Sequence, residues 1–351
     1  MDKKKKIEAI SISVKSSILE ALKQMDETYK RLLLVFNNDK FINVLSIGDI
    51  QRAIIKNVDL TFPIKDILRS NPRFSYQEEP SSIIKNRMLE YRTECMPVLN
   101  EKNELVDVLF WEDIFPAKEI QKQIINLPVV IMAGGKGTRL KPITNIIPKA
   151  LIPIGEKTIL EEIMDRFLKY NCNEFYISVN YKAETIKHYF SQLTNSQYKI
   201  HYFQEDKPLG TAGSLSLIKD KIQTTFFVSN CDIIINDDYS EILKYHQENK
   251  NELTIVATLK HYPIPYGTIE TEQNGNLKSL IEKPELTFKI NSGMYILEPH
   301  LLNEIPENKF FHITELIENI KNRNGSVGVF PVSEGSWQDV GTWSEYFKTL
   351  K

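Results

Sequence analysis

Cysteine is sparse in this chain. There are three, Cys95, Cys172 and Cys231, odd in number and far apart, so neither a disulfide framework nor a zinc-binding spacing can be drawn through them. The six histidines form no His-x-x-x-His pair. An excess of one charge is also missing: Lys+Arg is 44, Asp+Glu is 46, and the formal net charge is −2. A general nucleic-acid binder would carry a basic surplus. No apolar run approaches the length of a membrane span, and the lysine run in "MDKKKKIEAISISV" is followed by no long apolar stretch, so it makes a poor signal peptide and reads as a solvated tail. These absences leave a soluble, reduced, cytoplasmic protein of ordinary composition, 42% hydrophobic and 26% charged, with room in 351 residues for two or three domains. No nucleic acid and no membrane are expected as partners.

The first third contains a repeat. "RLLLVFNNDKFINVLSIGDI" at 31–50 and "CMPVLNEKNELVDVLFWEDI" at 95–114 each give an apolar strand, a polar turn, a second strand and then x-x-Asp-Ile. A segment with helical spacing, "SILEALKQMDETY" or "SSIIKNRMLEYR", precedes each. Two copies separated by roughly sixty residues imply one supersecondary unit used twice. The pattern resembles a tandem pair of CBS domains, about 7–60 and 61–116 within a module over 1–118. The resemblance implies an adenine nucleotide as ligand, with a Ser/Thr-x-x-Asp motif on the ribose. The first copy has it as Ser46-Ile47-Gly48-Asp49. The second reads Phe110-Trp111-Glu112-Asp113, with no hydroxyl at its first position, so at most one site is expected, at Ser46 and Asp49. The plainer alternative is that Asp49 caps the following helix and the module serves dimerisation. The resemblance also implies a homodimer. A helical linker over 119–126 is expected from the apolar spacing in "AKEIQKQIIN".

From residue 127 onward strands and helices alternate: "VVIMA", then "ILEEIMDRFLKY", "EFYISVNY", "AETIKHYFSQL", "KIHYFQE", "TAGSLSLIKDKI" and "TFFVSNCD". Such alternation predicts a mostly parallel sheet with helices on both faces, and ligands in such folds lie beyond the carboxyl ends of the strands. After the first strand comes "AGGKGTRLKPITNIIPKA" at 133–150. Glycines allow close backbone approach, and arginine and lysine meet anionic oxygen, so the stretch reads as a phosphate loop. It is not Gly-x-x-x-x-Gly-Lys-Ser/Thr, and Leu140 stands where Gly-x-Gly-x-x-Gly needs its last glycine. Its own pattern, Gly-Gly-x-Gly-Thr-Arg-Leu-x-Pro-x-Thr-x-x-x-Pro-Lys over 134–149, resembles the signature of sugar-1-phosphate nucleotidyltransferases. "PLGTAG" at 208–213, "NCD" at 230–232, "PYG" at 265–267, "EKP" at 282–284, "NSGMY" at 291–295 and "WQDVGTW" at 337–343 follow in that family's order. The domain is therefore set at 127–351, with a Rossmann-like α/β fold over a mixed, mostly parallel sheet.

The resemblance implies attack of a sugar-1-phosphate oxygen on the α-phosphorus of a nucleoside triphosphate, with pyrophosphate leaving. The nucleophile is already anionic, so positioning and electrostatics carry the catalysis. By the match, Ala133, Gly134 and Gly135 contact base and ribose. Arg139, with backbone around Gly137 and Thr138, grips the β- and γ-phosphates, and Lys149 meets the α-phosphate. Gly210 and Thr211 contact the nucleotide. Asp232 and Asp339 hold Mg²⁺, a hard ion suited to carboxylate and phosphate oxygen. Lys283 neutralises the sugar phosphate, Glu282, Asn291 and Gly293 meet sugar hydroxyls, and Tyr266 with Gly267 closes over the sugar. Asp232 has helix capping as its plain alternative. Cys231 reads as a small strand residue, and Trp337 and Trp343 as core.

Glu205 ends the strand before "DKPLGTAG". A carboxylate at a base edge can accept from guanine N1–H and N2–H together, which favours GTP as the nucleotide partner. CBS repeats in front of such a domain are similar to glucosamine-1-phosphate guanylyltransferases, which feed legionaminic-acid synthesis for bacterial surface glycans, so glucosamine 1-phosphate is the expected sugar. Mannose 1-phosphate and heptose 1-phosphate stay open. A non-catalytic CBS-regulated nucleotide sensor and a cytidylyltransferase for a choline-type phosphate are the rival readings.

Overall fold

A computed structural model describes residues 3–91, 93–115, 124–193 and 197–349. The chain divides into two compact units between Gln121 and Lys122.

In the N-terminal unit, β1 (Ser11–Ser13), α1 (Ile18–Thr28), β2 (Leu32–Asn37) and β3 (Lys40–Ser46) lead into α2 (Ile47–Ile55). β1 pairs parallel with β2, and β2 antiparallel with β3. The same unit recurs as β4 (Ser75–Tyr76), α3 (Ser81–Tyr91), β5 (Cys95–Leu99) and β6 (Leu105–Phe110), again with one parallel and one antiparallel pairing. The copies differ after the last strand. α2 has a full capping box, with Ser46 Oγ accepting from the Asp49 N–H and Asp49 from the Ser46 N–H. In the second copy Phe110 offers no cap and the helix is one turn, Trp111–Ile114.

Most of the expected linker, 119–126, lies outside the described residues; within it, 124–126 are not helical. Asn126 there has φ 57°, which no helix continues through.

The C-terminal unit begins with β7 (Val129–Met132) and continues with α4 (Ile159–Leu168), β8 (Glu174–Val179), α5 (Ala183–Ser191), β9 (Lys199–Gln204), β10 (Phe226–Asn230), β11 (Ile233–Ile235), α6 (Tyr239–Glu248), β12 (Leu253–Pro263), β13 (Thr268–Thr271), β14 (Leu277–Ile281), β15 (Glu285–Leu297), α7 (Ile313–Asn322), β16 (Val327–Val332), β17 (Trp337–Asp339) and α8 (Trp343–Thr349). Seven of the strands form one mixed sheet in the order β9-β8-β7-β10-β15-β12-β16. β7, β8, β9 and β10 are parallel, and β15 runs against both neighbours. β7, an interior strand, is the unbroken apolar run Val129–Met132 because both of its faces are covered. Period-2 alternation in β10 separates the two cores. Phe227 packs against Phe167 of α4 and Tyr239 of α6, at ring-centroid distances of 5.3 and 6.1 Å. Phe226 and Val228 point the other way, into a cluster with Leu215, Leu302 and the α7 residues Leu316 and Ile320.

One expected helix is corrected. "TAGSLSLIKDKI" forms only a 3₁₀ segment, Gly213–Ile218. Its start is tied to a different part of the chain, the Ala212 and Gly213 N–H groups both donating to the Phe311 carbonyl, and the Leu215 N–H then donates to the Ala212 carbonyl three residues back, the 3₁₀ spacing.

Strand order reverses between β7 and β10, since β8 and β9 lie to one side of β7 and β10 to the other. The crevice at their carboxyl ends is where this architecture places ligands.

Candidate functional site

Two chain segments meet at that crevice. The first is the loop leaving β7. Gly137 turns it with φ 61°, a conformation that costs a side-chain-bearing residue dearly, and Thr144 Oγ1 closes it by donating to the Gly137 carbonyl at 2.9 Å. The second is Asn230-Cys231-Asp232 at the end of β10. β11 then pairs antiparallel with β17, with Ile233 opposite Asp339, and the Val340 N–H donates to the Asp232 carbonyl at 2.8 Å. This small ladder brings Asp339 to Asp232 across more than a hundred residues of chain.

The charges converge there. Lys149 is 8% exposed and its Nζ is ion-paired with Asp232 Oδ2. Arg139 Nη2 lies 3.8 Å from the same oxygen, and its side chain is 62% exposed, so one cation is held in place and the other faces solvent. Gly341 is the floor of the cluster. A Cβ built on it would sit 2.6 Å from Asp339 Oδ1, 2.9 Å from Arg139 Nη2 and 3.2 Å from Asp232 Oδ2. Burial pushes the Asp339 carboxyl above its ordinary range, and the charge of Asp232 adds to this; the Gly341 N–H, Lys149 and Arg139 offset only part. Two carboxylates crowded in this way fit a hard divalent cation, which relieves both the desolvation and the mutual repulsion. Cys231, just before Asp232 in sequence, is buried, and burial pushes its thiol up to about 12, away from the thiolate form that a nucleophile needs.

The base-side candidates group around Glu205, which is 7% exposed. Its Oε1 accepts from Ser178 Oγ at 2.6 Å and its Oε2 from the Leu209 N–H at 3.0 Å. Asn180 Nδ2 donates to the Glu205 carbonyl at 2.6 Å. Gly134 lies directly over this carboxylate, since its Cβ position is 2.9 Å from Glu205 Oε1. Ala133 is buried, Gly135 and Thr138 are exposed, and nothing lies within 4 Å of the Gly135 Cβ position. Gly210 packs on the Phe311 backbone, and Thr211 Oγ1 accepts from the Ile313 N–H at 3.0 Å, at the start of α7. Both thus anchor the loop as well as bordering the crevice.

The sugar-side candidates form a separate group. β12 and β15 run on past a register shift between Val256 and Ala257, where Val256 faces Met294 but Ala257 faces Asn291. Ser292 and Gly293 are the extra residues of this bulge, a device that redirects a strand near a site. Asn291 Oδ1 accepts from the Gly293 N–H and its Nδ2 donates to Tyr295 Oη. Gly293 presses on Asn230, so the bulge touches the end of β10. Beyond β12, Tyr266 is 75% exposed, and Gly267 adjoins Glu282. Lys283 has φ 45°, and Glu282 and Lys283 make no ion pair among the described residues. Trp337 and Trp343 are half-buried rather than core. Their indole N–H groups hold backbone carbonyls, those of Ser292 and Lys141 respectively.

In the N-terminal unit, Asp49 is 4% exposed. Its Oδ2 accepts from Ser46 N–H and Oγ, and its Oδ1 is paired with Arg52 and with Arg69 Nε at 2.6 Å. Burial raises this carboxyl, but the hydrogen bonds from Ser46 and Arg69 outweigh it and hold the group below its ordinary value. The motif therefore acts as a helix cap and an arginine anchor.

Gly341, Tyr181 and Lys182 were not legible as site residues. Lys182 Nζ donates to the carbonyls of Asn145 and Ile146, at 2.6 Å each, and Tyr181 Oη to that of Thr144 at 3.1 Å. Nothing local in "NYKAET" signals bonds across more than thirty residues.

Among the described residues, no helix is long and apolar enough to cross a membrane. Residues 128–351 match the family model for nucleotidyl transferases, and residues 5–56 that for the CBS domain. Probable mannose-1-phosphate guanylyltransferase 1 of Oryza sativa subsp. japonica is 30% identical over 233 residues. The catalytic subunit beta of mannose-1-phosphate guanylyltransferase from Dictyostelium discoideum is 33% identical over 230. In both comparisons the match covers 64% of this chain and 64% of the relative, so the chain spans less than two thirds of these relatives' length. HddC from Yersinia pseudotuberculosis, solved also in complex with GMP-PN, superposes with a TM-score of 0.51 at 27% identity, over 64% of this chain and 98% of that one.

Proposed function

Because the chain belongs to the nucleotidyl transferase family, we propose that it moves a guanylyl group from GTP to a sugar 1-phosphate. A phosphate oxygen of the sugar phosphate bonds to the α-phosphorus, the bond from that phosphorus to the bridging oxygen breaks, and pyrophosphate leaves. The observation that carries this reading is the convergence of Arg139, Asp232 and Asp339 on Gly341, with Lys149 ion-paired to Asp232, at the carboxyl ends of β7 and β10. It gathers two cations for anionic oxygen and two carboxylates for a metal ion.

Lys149, held buried and oriented, meets the α-phosphate, where charge grows in the transition state. Exposed Arg139 reaches the β- and γ-phosphates with the backbone of Gly137 and Thr138. Lys149 is already held in place, which is how preorganised charge lowers a barrier. Asp232 and Asp339 would hold Mg²⁺, which when bound supplies neutralisation of triphosphate oxygens. Ala133, Gly134 and Gly135 line the base and ribose side, bordered by Gly210 and Thr211. Asn291 and Gly293 meet the sugar, and Tyr266, Gly267, Glu282 and Lys283 cover it and its phosphate.

Glu205 reads the base. Each of its oxygens already accepts one protein hydrogen bond and keeps a lone pair for guanine N–H groups. The guanylyltransferase names of the relatives support GTP. The same names support mannose 1-phosphate as acceptor, whereas the CBS module in front favours glucosamine 1-phosphate and a role in legionaminic-acid supply. An adenine nucleotide at Ser46 and Asp49 would have to take the carboxylate from Arg52 or Arg69. The three described cysteines are buried free thiols, in accord with a reduced cytoplasm, where a CBS-linked homodimer completes the proposal.

The test is pyrophosphate release with Mg²⁺ across five nucleoside triphosphates and the glucosamine, N-acetylglucosamine, mannose, glucose and heptose 1-phosphates. One strong GTP column is expected, and Glu205→Gln should flatten it. Unchanged GTP preference in Glu205→Gln would remove the base-reading role. A blank grid with nucleotide still bound would turn the reading to a sensor.

A further inference from the structure

The segment 141–146 of the phosphate loop belongs to no strand or α-helix, yet it links Arg139 to Lys149. Side chains from elsewhere hold it. Tyr181 engages the loop twice, its N–H donating to the Gly134 carbonyl at 3.4 Å and its Oη to the Thr144 carbonyl at 3.1 Å. Lys182 Nζ donates to the two carbonyls that end the 3₁₀ turn Ile143–Asn145, those of Asn145 and Ile146, at 2.6 Å each. A cation is well placed at such a carbonyl end.

Lys182 is also the wrong residue for its own backbone. It is the N-cap of α5 with φ 53° and ψ 39°, and its side chain makes no capping bond. That position prefers a short polar residue, and a left-handed backbone prefers glycine or asparagine. A locally unfavourable residue persists where something over-determines it. Here the bond to the loop is that something: an asparagine or glycine would suit the backbone, but could not span to Asn145 and Ile146.

We propose that Lys182, with Tyr181 beside it, is a positioning residue that fixes the register of the loop so that Arg139 and Lys149 present their charges together to a triphosphate. The proposal rests on the function proposed above for that loop. Lys182 itself touches no reacting atom.

The test uses the full chain with Lys182→Met, Lys182→Gly and Lys182→Arg. Met removes the ammonium and keeps the stem. Gly also relieves the left-handed backbone, so its melting temperature should match or exceed that of the parent. Amide exchange at Asn145, Ile146 and Ile147 should quicken about ten-fold or more in Met and Gly, and stay unchanged in β7. KM for the triphosphate should rise and kcat fall by a combined factor of roughly a hundred, the scale of a 1 Å misplacement, with KM for the sugar phosphate unmoved. Arg, which can donate to both carbonyls, should restore most of each. Unchanged exchange would overturn the strap. Faster exchange with unaltered kinetics would overturn the positioning role and leave only a structural bond. If the parent protein turns over no pair in the grid, the proposed function fails, and the exchange measurement still decides whether Lys182 orders the loop.

Discussion

Adding one methyl group at Gly341 should disable the site without removing any charge. Gly341 is not in the left-handed region, so alanine can adopt its backbone, and Gly→Ala at a compatible position tends to stabilise by about 0.4–1 kcal/mol through the unfolded chain. The new Cβ would stand 2.6 Å from Asp339 Oδ1, against the 3.4 Å at which ordinary contact begins. The carboxylate oxygen must therefore retreat by roughly 0.8 Å, several times the ~0.2 Å tolerance of a metal–ligand distance. Arg139 Nη2 at 2.9 Å and Asp232 Oδ2 at 3.2 Å must also give. With about 1 Å of misplacement costing on the order of 10²-fold, kcat should fall by roughly ten- to a hundred-fold. The assay is pyrophosphate release over a Mg²⁺ titration, with a thermal melt to show that the variant is folded. The Mg²⁺ concentration for half-maximal rate should rise, and KM for the sugar phosphate should hold within about two-fold, as expected when the lost interaction belongs to the transition state. A folded Gly341→Ala with parental kcat and parental Mg²⁺ dependence would refute the convergence of these groups on one metal-binding point.

Two further outcomes follow from the same charges. Asp339 has its carboxyl raised by burial and by Asp232, so the native state holds its proton more tightly than the unfolded chain does. Stability then falls as pH rises from about 4 through the folded value. Asp339→Asn should melt higher than the parent at neutral pH without divalent cation, lose that advantage in acid, and lose activity throughout; a lower melting temperature at neutral pH would contradict the assigned strain. Asp49 is the opposite case, a buried carboxylate held low by its partners, which stabilises above the ordinary carboxyl range and ceases to as pH falls below it. Asp49→Ala removes a helix cap, a change that costs about 0.5–2 kcal/mol, and leaves the partly exposed Arg52 and Arg69 without it, so the melting temperature of the N-terminal unit should fall, and a change within error would show that the cap and the arginine pairs contribute nothing.

Much of this was legible in the residues, because the signals were local. The apolar run before Gly134, the glycine-rich stretch after it and the alternation of strand and helix segments from residue 127 onward each declare themselves within a few positions. Arg139 and Lys149 came from the dense motif at 134–149 and Asp232 from "NCD" at 230–232, and the structure brings all three together. Other features depended on distant partners. The 3₁₀ segment after Gly210 is anchored by Phe311, a hundred residues away, whose carbonyl takes up the N–H groups at its start. Gly341 matters through three side chains that only the β11–β17 ladder assembles. The Ser46–Asp49 pair shows the converse: its motif was plain, but Arg69, twenty residues on, already occupies the carboxylate.

The bulge at Ser292 and Gly293 divides the C-terminal unit into a part that can vary and a part that cannot. On one side lie strand ends locked into the seven-stranded sheet, where a shift of one residue would reverse every core side chain. On the other, Tyr266, Gly267, Glu282 and Lys283 are carried by chain outside that sheet and are exposed. Replacements there leave the buried core untouched. Selection, or an engineer, can thus exchange the excursion between Pro263 and Glu285 as a cassette without disturbing the seven-stranded sheet; under the proposed function, such an exchange would retune which acceptor is held while the donor side is inherited whole.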